Sequence, residues 1–421
     1  MNIALKTADI LLPRKADMKK WAVIACDQYT GQPEYWERVE KAVGAADSTL
    51  KLILPEVYLE ESDADERIAA IHDEMNRLLS ENLLDEQKNA LIYIERTLSD
   101  GTVRQGILGK IDLEEYDYHK GSTSQVRATE ATVESRLPAR IRIRRDAALE
   151  LPHILMLIDD AEKTVIEPCA ALSSGTSLYD FPLMENGGKI RAYRIPEKET
   201  ERIFENLSAL SESGAFNRRY GLNGVSPLLF AVGDGNHSLA AAKEFYEQLK
   251  RENPDQDLSD HPARYALAEI VNLHSPALEF EAIHRIVKRT DPNLLLSEMT
   301  EALGLSDEPS EQRFTLILAE GERECFIHKP TSTLTVGSLQ NFLDDFAKKH
   351  PCKIDYIHGA DVVRRLSARA DAAGFLLPDM KKSELFPTVI KDGALPRKTF
   401  SMGHAEDKRF YIESRKIRKG E

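Results

Sequence analysis

Gly233-Asp234-Gly235-Asn236-His237-Ser238 interrupts an apolar stretch and gathers a carboxylate, a carboxamide, an imidazole and a hydroxyl on one short turn. Leu228 to Val232, ahead of it, form a continuous apolar run, as a strand buried on both faces does. Behind it, Leu239, Ala242, Tyr246 and Leu249 recur at helical spacing. The polar group therefore sits at a strand end and a helix start. A helix start exposes backbone N–H groups and the positive end of the helix dipole, which together attract anions. Gly233 and Gly235 tolerate positive φ and let a phosphate approach the backbone. In that setting Asp234 can hold Mg²⁺ beside the phosphate or act as a base. His237 can donate to a phosphoryl oxygen or relay a proton. Asn236 or Ser238 can cap the helix. A plain Gly-Asp-Gly turn followed by a cap fits the same residues equally well, and the turn matches no standard P-loop.

Other residues could add chemistry. Six arginines (127, 136, 140, 142, 144 and 145) crowd the segment from Arg127 to Arg145. Arg136, Arg140 and Arg144 would share one face of a continuous helix, although Pro138 interrupts the series. For the later arginines a solvated face paired with acids is the simpler reading. "ACDQYT" ends an apolar run with Asp27, Gln28 and Tyr29, which could reach a pocket at the strand end or simply make a turn. Lys398, Thr399 and His404 are polar candidates nearer the C-terminus, with Lys398 able to meet phosphate as a point charge. His72, His274 and His350 lack His-x-His or His-Glu-x-x-His spacing and read as structural, which argues against a zinc site.

Positioning these groups takes a large scaffold. The chain has 421 residues, more than the roughly 250–300 that one core usually holds. We expect two lobes, a phosphate-binding α+β domain over 1–290 and a smaller C-terminal α/β lobe over 291–421 whose tail returns to the site. The break is read around 288–292. A 42% hydrophobic and 30% charged composition is that of an ordinary soluble globular protein. "KLILPEVYL" and "WAVIACDQYT" read as strands, and "DADERIAAIHDEMNRLLSENLL" and "PEKETERIFENLSALSES" as amphipathic helices. Hairpins are expected at Asp100-Gly101, at Asp159–Glu162 and at Asn186–Gly188. Asp291 followed by Pro292 starts a helix, after which strands and helices alternate. Hairpins mixed with strand-helix units predict a mixed α/β or α+β fold with mixed sheets and flanking helices.

The formal net charge of −14 argues against nucleic acid as a partner, since that binding rests on neutralising phosphates. Four scattered cysteines with no Cys-x-x-Cys pair fit a reducing compartment. No apolar run approaches the roughly 20 residues of a membrane span, and the N-terminal stretch does not read as a signal peptide. A cytoplasmic protein is expected, with homo-oligomerisation left open.

"DGNHSLAAA" resembles the Asp-Gly-His-His-Arg-Tyr-x-x-Ala motif of the domain-of-unknown-function 1015 family. "HKGSTSQVRATEATVESR", "ILMLIDDA" and "LPRKTFSMGHAEDKRFYIESRKI" resemble further segments of that family. Its motif is in turn similar to the phosphate turn of the ParB/sulfiredoxin superfamily, which includes free serine kinases and nucleotide-dependent clamps. The resemblance implies a ParB/sulfiredoxin-like core and a phosphate-binding turn at Gly235, Asn236 and Ser238, with Asp234 and His237 as reactive members. It places "VRATE" beside the turn, so that Arg127 and Thr129 contact phosphate and Glu130 serves as base or metal ligand with Asp234. Asn236 stands where the motif has histidine, and Ser238 where it has arginine, so a cation must come from elsewhere. The implied activity is a nucleotide-dependent phosphotransferase using ATP or ADP with Mg²⁺ on a small hydroxylated metabolite such as serine. The alternatives are a phosphohydrolase acting on phosphoserine or a related monoester, and a non-enzymatic nucleotide switch.

Overall fold

The computed structural model describes residues 2–418. The chain forms two units, Met1–Leu278 with Gly403–Glu421, and Glu279–Met402. The second is thus inserted in the sequence of the first, and it begins ahead of the break read at 288–292. The fold is mixed α/β.

Among the described residues, the first unit is built on a ten-stranded mixed sheet. Its order runs Tyr179–Pro182, Lys189–Arg194, Ile92–Thr97, Val103–Asp112, Tyr265–Asn272, Leu155–Ile158, Phe230–Asp234, Val126–Ala128, Tyr116–Asp117, with Leu5–Lys6 added beside Val103–Asp112. The hairpins expected at Asp100-Gly101 and Asn186–Gly188 form. The one expected at Asp159–Glu162 does not. There Leu155–Ile158 pairs parallel with Tyr265–Asn272 and antiparallel with Phe230–Asp234. The Asp160 carboxylate accepts from Thr164 and Val165 N–H groups, turning the chain into the 3-10 segment Glu167–Ser174. "KLILPEVYL" is likewise two 3-10 turns, Thr49–Leu52 and Glu56–Tyr58, with no strand partner, while Ser48 caps the first.

Side chains alternate along the central strands and bury both faces of the sheet. Tyr93, Ile107, Ala268, Ile270, Met156, Phe230 and Val232 pack into one core with Leu239, Phe245 and Tyr246 of the helix Asn236–Glu252. Ile92, Ile94, Leu108 and Leu267 pack into the other core with Trp36 and Val39 of Pro33–Val43, Ile71 and Leu78 of Ala64–Ser80, and Phe410 to Ile412. Phe410–Tyr411 pairs with Val23–Ile24, so residues beyond 402 lie along this second face.

The second unit has a six-stranded antiparallel sheet, ordered Leu305–Ser306, Gly321–Ile327, Gln312–Leu318, Ala372–Leu376, His284–Lys288, Lys353–Ile357. Asp291 caps the helix Pro292–Leu303, as its position before Pro292 predicts. "HPARYALAEIVNLHSPALEFEAIHRIV", open between helix and strand on sequence, forms the strands Tyr265–Asn272, Phe280–Ala282 and His284–Lys288. No helix among the described residues is long and apolar enough to cross a membrane.

Candidate functional site

The polar turn lies at the end of strand Phe230–Asp234 and opens the helix Asn236–Glu252. Gly235 occupies the cap position at φ 79°, where an L side chain is strained. A Cβ there would also stand 3.0 Å from Ile154 Cγ1 and 3.1 Å from Ile154 Cα. The cap residue carries no side chain, so no side-chain bond caps this helix start.

A bulge decides where Asp234 points. Met156 faces Val232 across the pair, but Leu155 faces Asp234, so Gly233 is the inserted residue. An inserted residue sends the next side chain to the opposite face. Asp234 therefore leaves the face of Phe230 and Val232. It joins the face of Leu155 and, one strand further, Glu269. That is the face covered by residues 405–413.

There Asp234 Oδ2 meets Lys408 Nζ at 3.3 Å, and its Oδ1 accepts from Gly235 N–H at 3.0 Å. Burial works to raise the Asp234 carboxyl. Lys408, then His153, outweigh it and hold the group below the usual carboxylate value. Lys408 thus brings a cation beside the turn, where Ser238 brings none. Next to it, Arg409 Nε meets Glu269 Oε2 at 2.9 Å and Arg409 Nη2 meets Glu413 Oε2 at 2.9 Å. Arg104 and Arg96 are direct cross-strand partners on this face, both buried. They donate to the backbone carbonyls of Asp407 and Glu406, at 3.0 Å each. Burial and the neighbouring Arg104 pull Arg96 down to about 9. Glu269 lies over Gly106, where a Cβ would come within 2.5 Å of Oε1, so only glycine leaves it room.

The "VRATE" segment reaches the turn through its strand. Val126–Ala128 runs parallel to Phe230–Asp234, with Ala128 opposite Val232, so both strands end together. Thr129 Oγ1 donates to Val232 O at 2.6 Å and accepts from Asn236 Nδ2 at 3.4 Å. Glu130 follows, half-buried. His237 Nε2 accepts from Val133 N–H at 3.2 Å and ties the next loop to the helix start. Arg127 is buried with its guanidinium on two carbonyls, Ser124 O and Ser226 O, at 2.8 Å each. Burial pulls it down to about 10. The later arginines pair with acids: Arg140 with Glu56, Arg142 with Asp65, Arg144 with Glu150 and Arg145 with Glu252.

Asp27 lies in the turn after Val23–Ile24 and accepts from Gln28 Nε2 at 3.0 Å. Tyr29, at φ 54°, stacks on Tyr35 with ring centres 3.8 Å apart. His404 is exposed and precedes the 3-10 turn Ala405–Asp407. Lys398 belongs to the second unit, where its carbonyl accepts from Arg285 at 2.8 Å. Among the described residues no group of three His, Cys, Asp or Glu side chains converges to hold a metal ion. Mg²⁺ commonly needs only one or two carboxylates when phosphates supply the rest. Asp234 and Glu130 are two carboxylates at adjoining strand ends.

Residues that sequence reading passed over complete the site: Lys408, His153, Tyr411, Arg104, Arg409 and Glu269. One signal was legible. Arg96 and Arg104 each lie four residues from Asp100, and a hairpin centred on that residue, with Thr97 opposite Val103, sets two like charges opposite each other. Such a pair is destabilising unless anionic or carbonyl partners come from elsewhere in the fold.

The fold and site are those of a mixed α/β protein with a polar strand-to-helix turn. The family model described as "Protein of unknown function (DUF1015)" matches residues 9–346, and the chain belongs to that family. No curated protein matches it. Among solved structures, the chain is similar to a conserved hypothetical protein from Pyrococcus furiosus at 11% identity, covering 73% of this chain and 94% of that one, TM-score 0.35. It is similar to a free serine kinase in complex with AMP at 12% identity, covering 73% and 90%, TM-score 0.38. It is also similar to SbnI with C-terminal truncation from Staphylococcus aureus at 9% identity, covering 70% and 82%, TM-score 0.38.

Proposed function

We propose that this protein is a nucleotide-dependent phosphotransferase acting on a small hydroxylated metabolite, with ATP or ADP as co-substrate and Mg²⁺ accompanying the nucleotide. The observation that carries the reading is the helix start at Gly235, which has no side-chain cap and has the Lys408–Asp234 pair beside it. A phosphate seated on the first turn of Asn236–Glu252 gains backbone N–H donors and the helix dipole. It also competes with Asp234 for the Lys408 ammonium. Displacing that pair frees the Asp234 carboxylate to take the acceptor's proton or to meet Mg²⁺. Thr129, held against Val232 O and Asn236, fixes the neighbouring loop and places Glu130 at the same strand end. Phosphoryl transfer asks mainly for positioning and charge neutralisation, which these groups supply.

The test is a panel of nucleotides with Mg²⁺ and the purified protein, with and without hydroxylated amino acids and sugars. Serine is the first acceptor to try. Nucleotide consumption that depends on an acceptor is expected, and Lys408→Met is expected to lower it by at least tenfold. Absence of both nucleotide binding and turnover across the panel would refute the reading.

A further inference from the structure

Ser238 stands on the first turn of the helix Asn236–Glu252, with its Oγ 3.0 Å from His153 Nε2. The other ring nitrogen, His153 Nδ1, lies 2.7 Å from the Tyr411 hydroxyl. Tyr411 in turn donates to Cys26 Sγ at 3.1 Å and accepts from Cys26 N–H at 3.3 Å. A phenol has one proton to give. With that proton on Cys26 Sγ, the Tyr411 oxygen accepts from His153 Nδ1–H, and in that tautomer Nε2 faces the Ser238 hydroxyl as an acceptor. Burial pushes the Cys26 thiol up to about 12, so the sulfur stays protonated and adds no charge. His153 is buried, Ser238 is partly exposed at the turn, and Asp234 lies close enough to His153 for their charges to interact. Nucleophile, base and orienting group thus stand in sequence, with the nucleophile on the helix turn that would seat the phosphate.

We propose that Ser238 is a covalent phosphoryl acceptor, with His153 as its base and Tyr411 as the positioning residue for His153. The donor rests on the phosphotransferase reading above. Ser238 Oγ attacks the terminal phosphorus of the nucleotide. The Oγ–P bond forms as the P–O bond to the leaving nucleotide breaks, and the electron pair departs on the leaving phosphate oxygen. The Oγ proton moves to His153 Nε2 and then to solvent. In the second half the acceptor hydroxyl attacks phosphoserine 238. His153 takes the acceptor's proton and returns it to Ser238 Oγ as that O–P bond breaks.

The full-length protein is incubated with Mg²⁺ and ATP labelled on the terminal phosphate, without acceptor, and quenched. Intact mass and peptide mapping then look for one phosphoryl group on Ser238, and nucleotide binding is measured separately on the wild-type protein. The expected result is phosphoserine at 238, with exchange of label between ADP and ATP in the absence of acceptor. Ser238→Ala should lose the label entirely. His153→Ala should lose at least a hundredfold in labelling rate and recover part of it with added imidazole, which a merely structural role would not allow. Tyr411→Phe should slow labelling without changing the half-saturating nucleotide concentration. Turnover with acceptor but no phosphoserine 238 would overturn this step and leave direct transfer standing. Neither binding nor turnover of nucleotide would overturn both.

Discussion

Replacing Lys408 with Met tests whether the charge pair at the turn is electrostatic in its effect or only a contact. The ammonium and the Asp234 carboxylate are 3.3 Å apart, with side-chain exposures of 13% and 23%. At an effective dielectric constant of about 20 their direct attraction is about 5 kcal/mol. Fully buried pairs lose about 3–5 kcal/mol when one partner is removed, and exposed ones about 0–1. Partial solvent access puts this pair between them, at about 2 kcal/mol near pH 7. The pH dependence carries the discrimination. Burial raises the Asp234 carboxyl, and Lys408 and His153 together bring it below its ordinary 3.8. A depressed carboxylate contributes stability that is complete above its unfolded value and is lost as pH falls through its folded value. Without Lys408 the burial effect is no longer offset to the same extent, so less of that stability is present at neutral pH. Met keeps much of the alkyl packing. The gap between wild type and Lys408→Met should therefore be widest near neutrality and narrow as pH falls below 3.8 and through the depressed folded value of wild-type Asp234. Urea unfolding followed by tryptophan fluorescence across that range measures it. A gap that stays constant with pH would refute the electrostatic account.

Gly235→Ala should cost about 1–2 kcal/mol from positive φ alone, with a further loss from the contact with Ile154, read as a lower midpoint in the same unfolding assay. Glu269→Gln leaves Arg409 and Arg104 short of their carboxylate, and about 3 kcal/mol or more of stability should go with it; a loss under 1 kcal/mol would show that the cluster tolerates the missing charge. Thr129→Val removes the bond to Val232 O and should cost about 1 kcal/mol while weakening nucleotide binding measured by calorimetry. Chelating Mg²⁺ should stop nucleotide turnover and leave the thermal midpoint unchanged; a fall in the midpoint would point to a resident metal instead.

What could be read from the sequence was local. Periodicity and capping placed the helices Ala64–Ser80, Glu197–Leu210 and Pro292–Leu303, and turn chemistry placed two hairpins. The strand-to-helix junction at Gly235 was legible for the same reason, since its signals lie within a few residues of one another. What failed was also local evidence, overridden by distant partners. "LMLIDDA" looked like half of a hairpin but found its neighbours at Tyr265–Asn272 and Phe230–Asp234. Lys408 and Tyr411 were hidden because no period or motif links residue 408 to 234 or 411 to 153; only the pairing of Phe410–Tyr411 with Val23–Ile24 brings them there. The direction of Asp234 was invisible as well, because it depends on a one-residue bulge at Gly233 that exists only in the context of Leu155. Arg127 shows the converse. Its place beside the turn strand was anticipated, yet its guanidinium is spent on the carbonyls of Ser124 and Ser226.

The insertion of Glu279–Met402 between two parts of one unit sets a clock on synthesis. The ribosome makes the sheet strands, the turn and its helix first. It then makes the whole inserted unit before Lys408, Arg409 and Tyr411 emerge, a delay on the order of ten seconds at usual elongation rates. During that interval Asp234 has no ammonium, Glu269 no Arg409 and His153 no phenol. The nascent chain then carries Asp234 without its ammonium, and Glu269 with Arg104 as its cation on that face. Arrival of the segment beyond 402 pairs both and covers that face in one event. A chain stopped before 408 would therefore be left with an unfinished site and an uncovered core, open to proteolysis rather than quietly inactive.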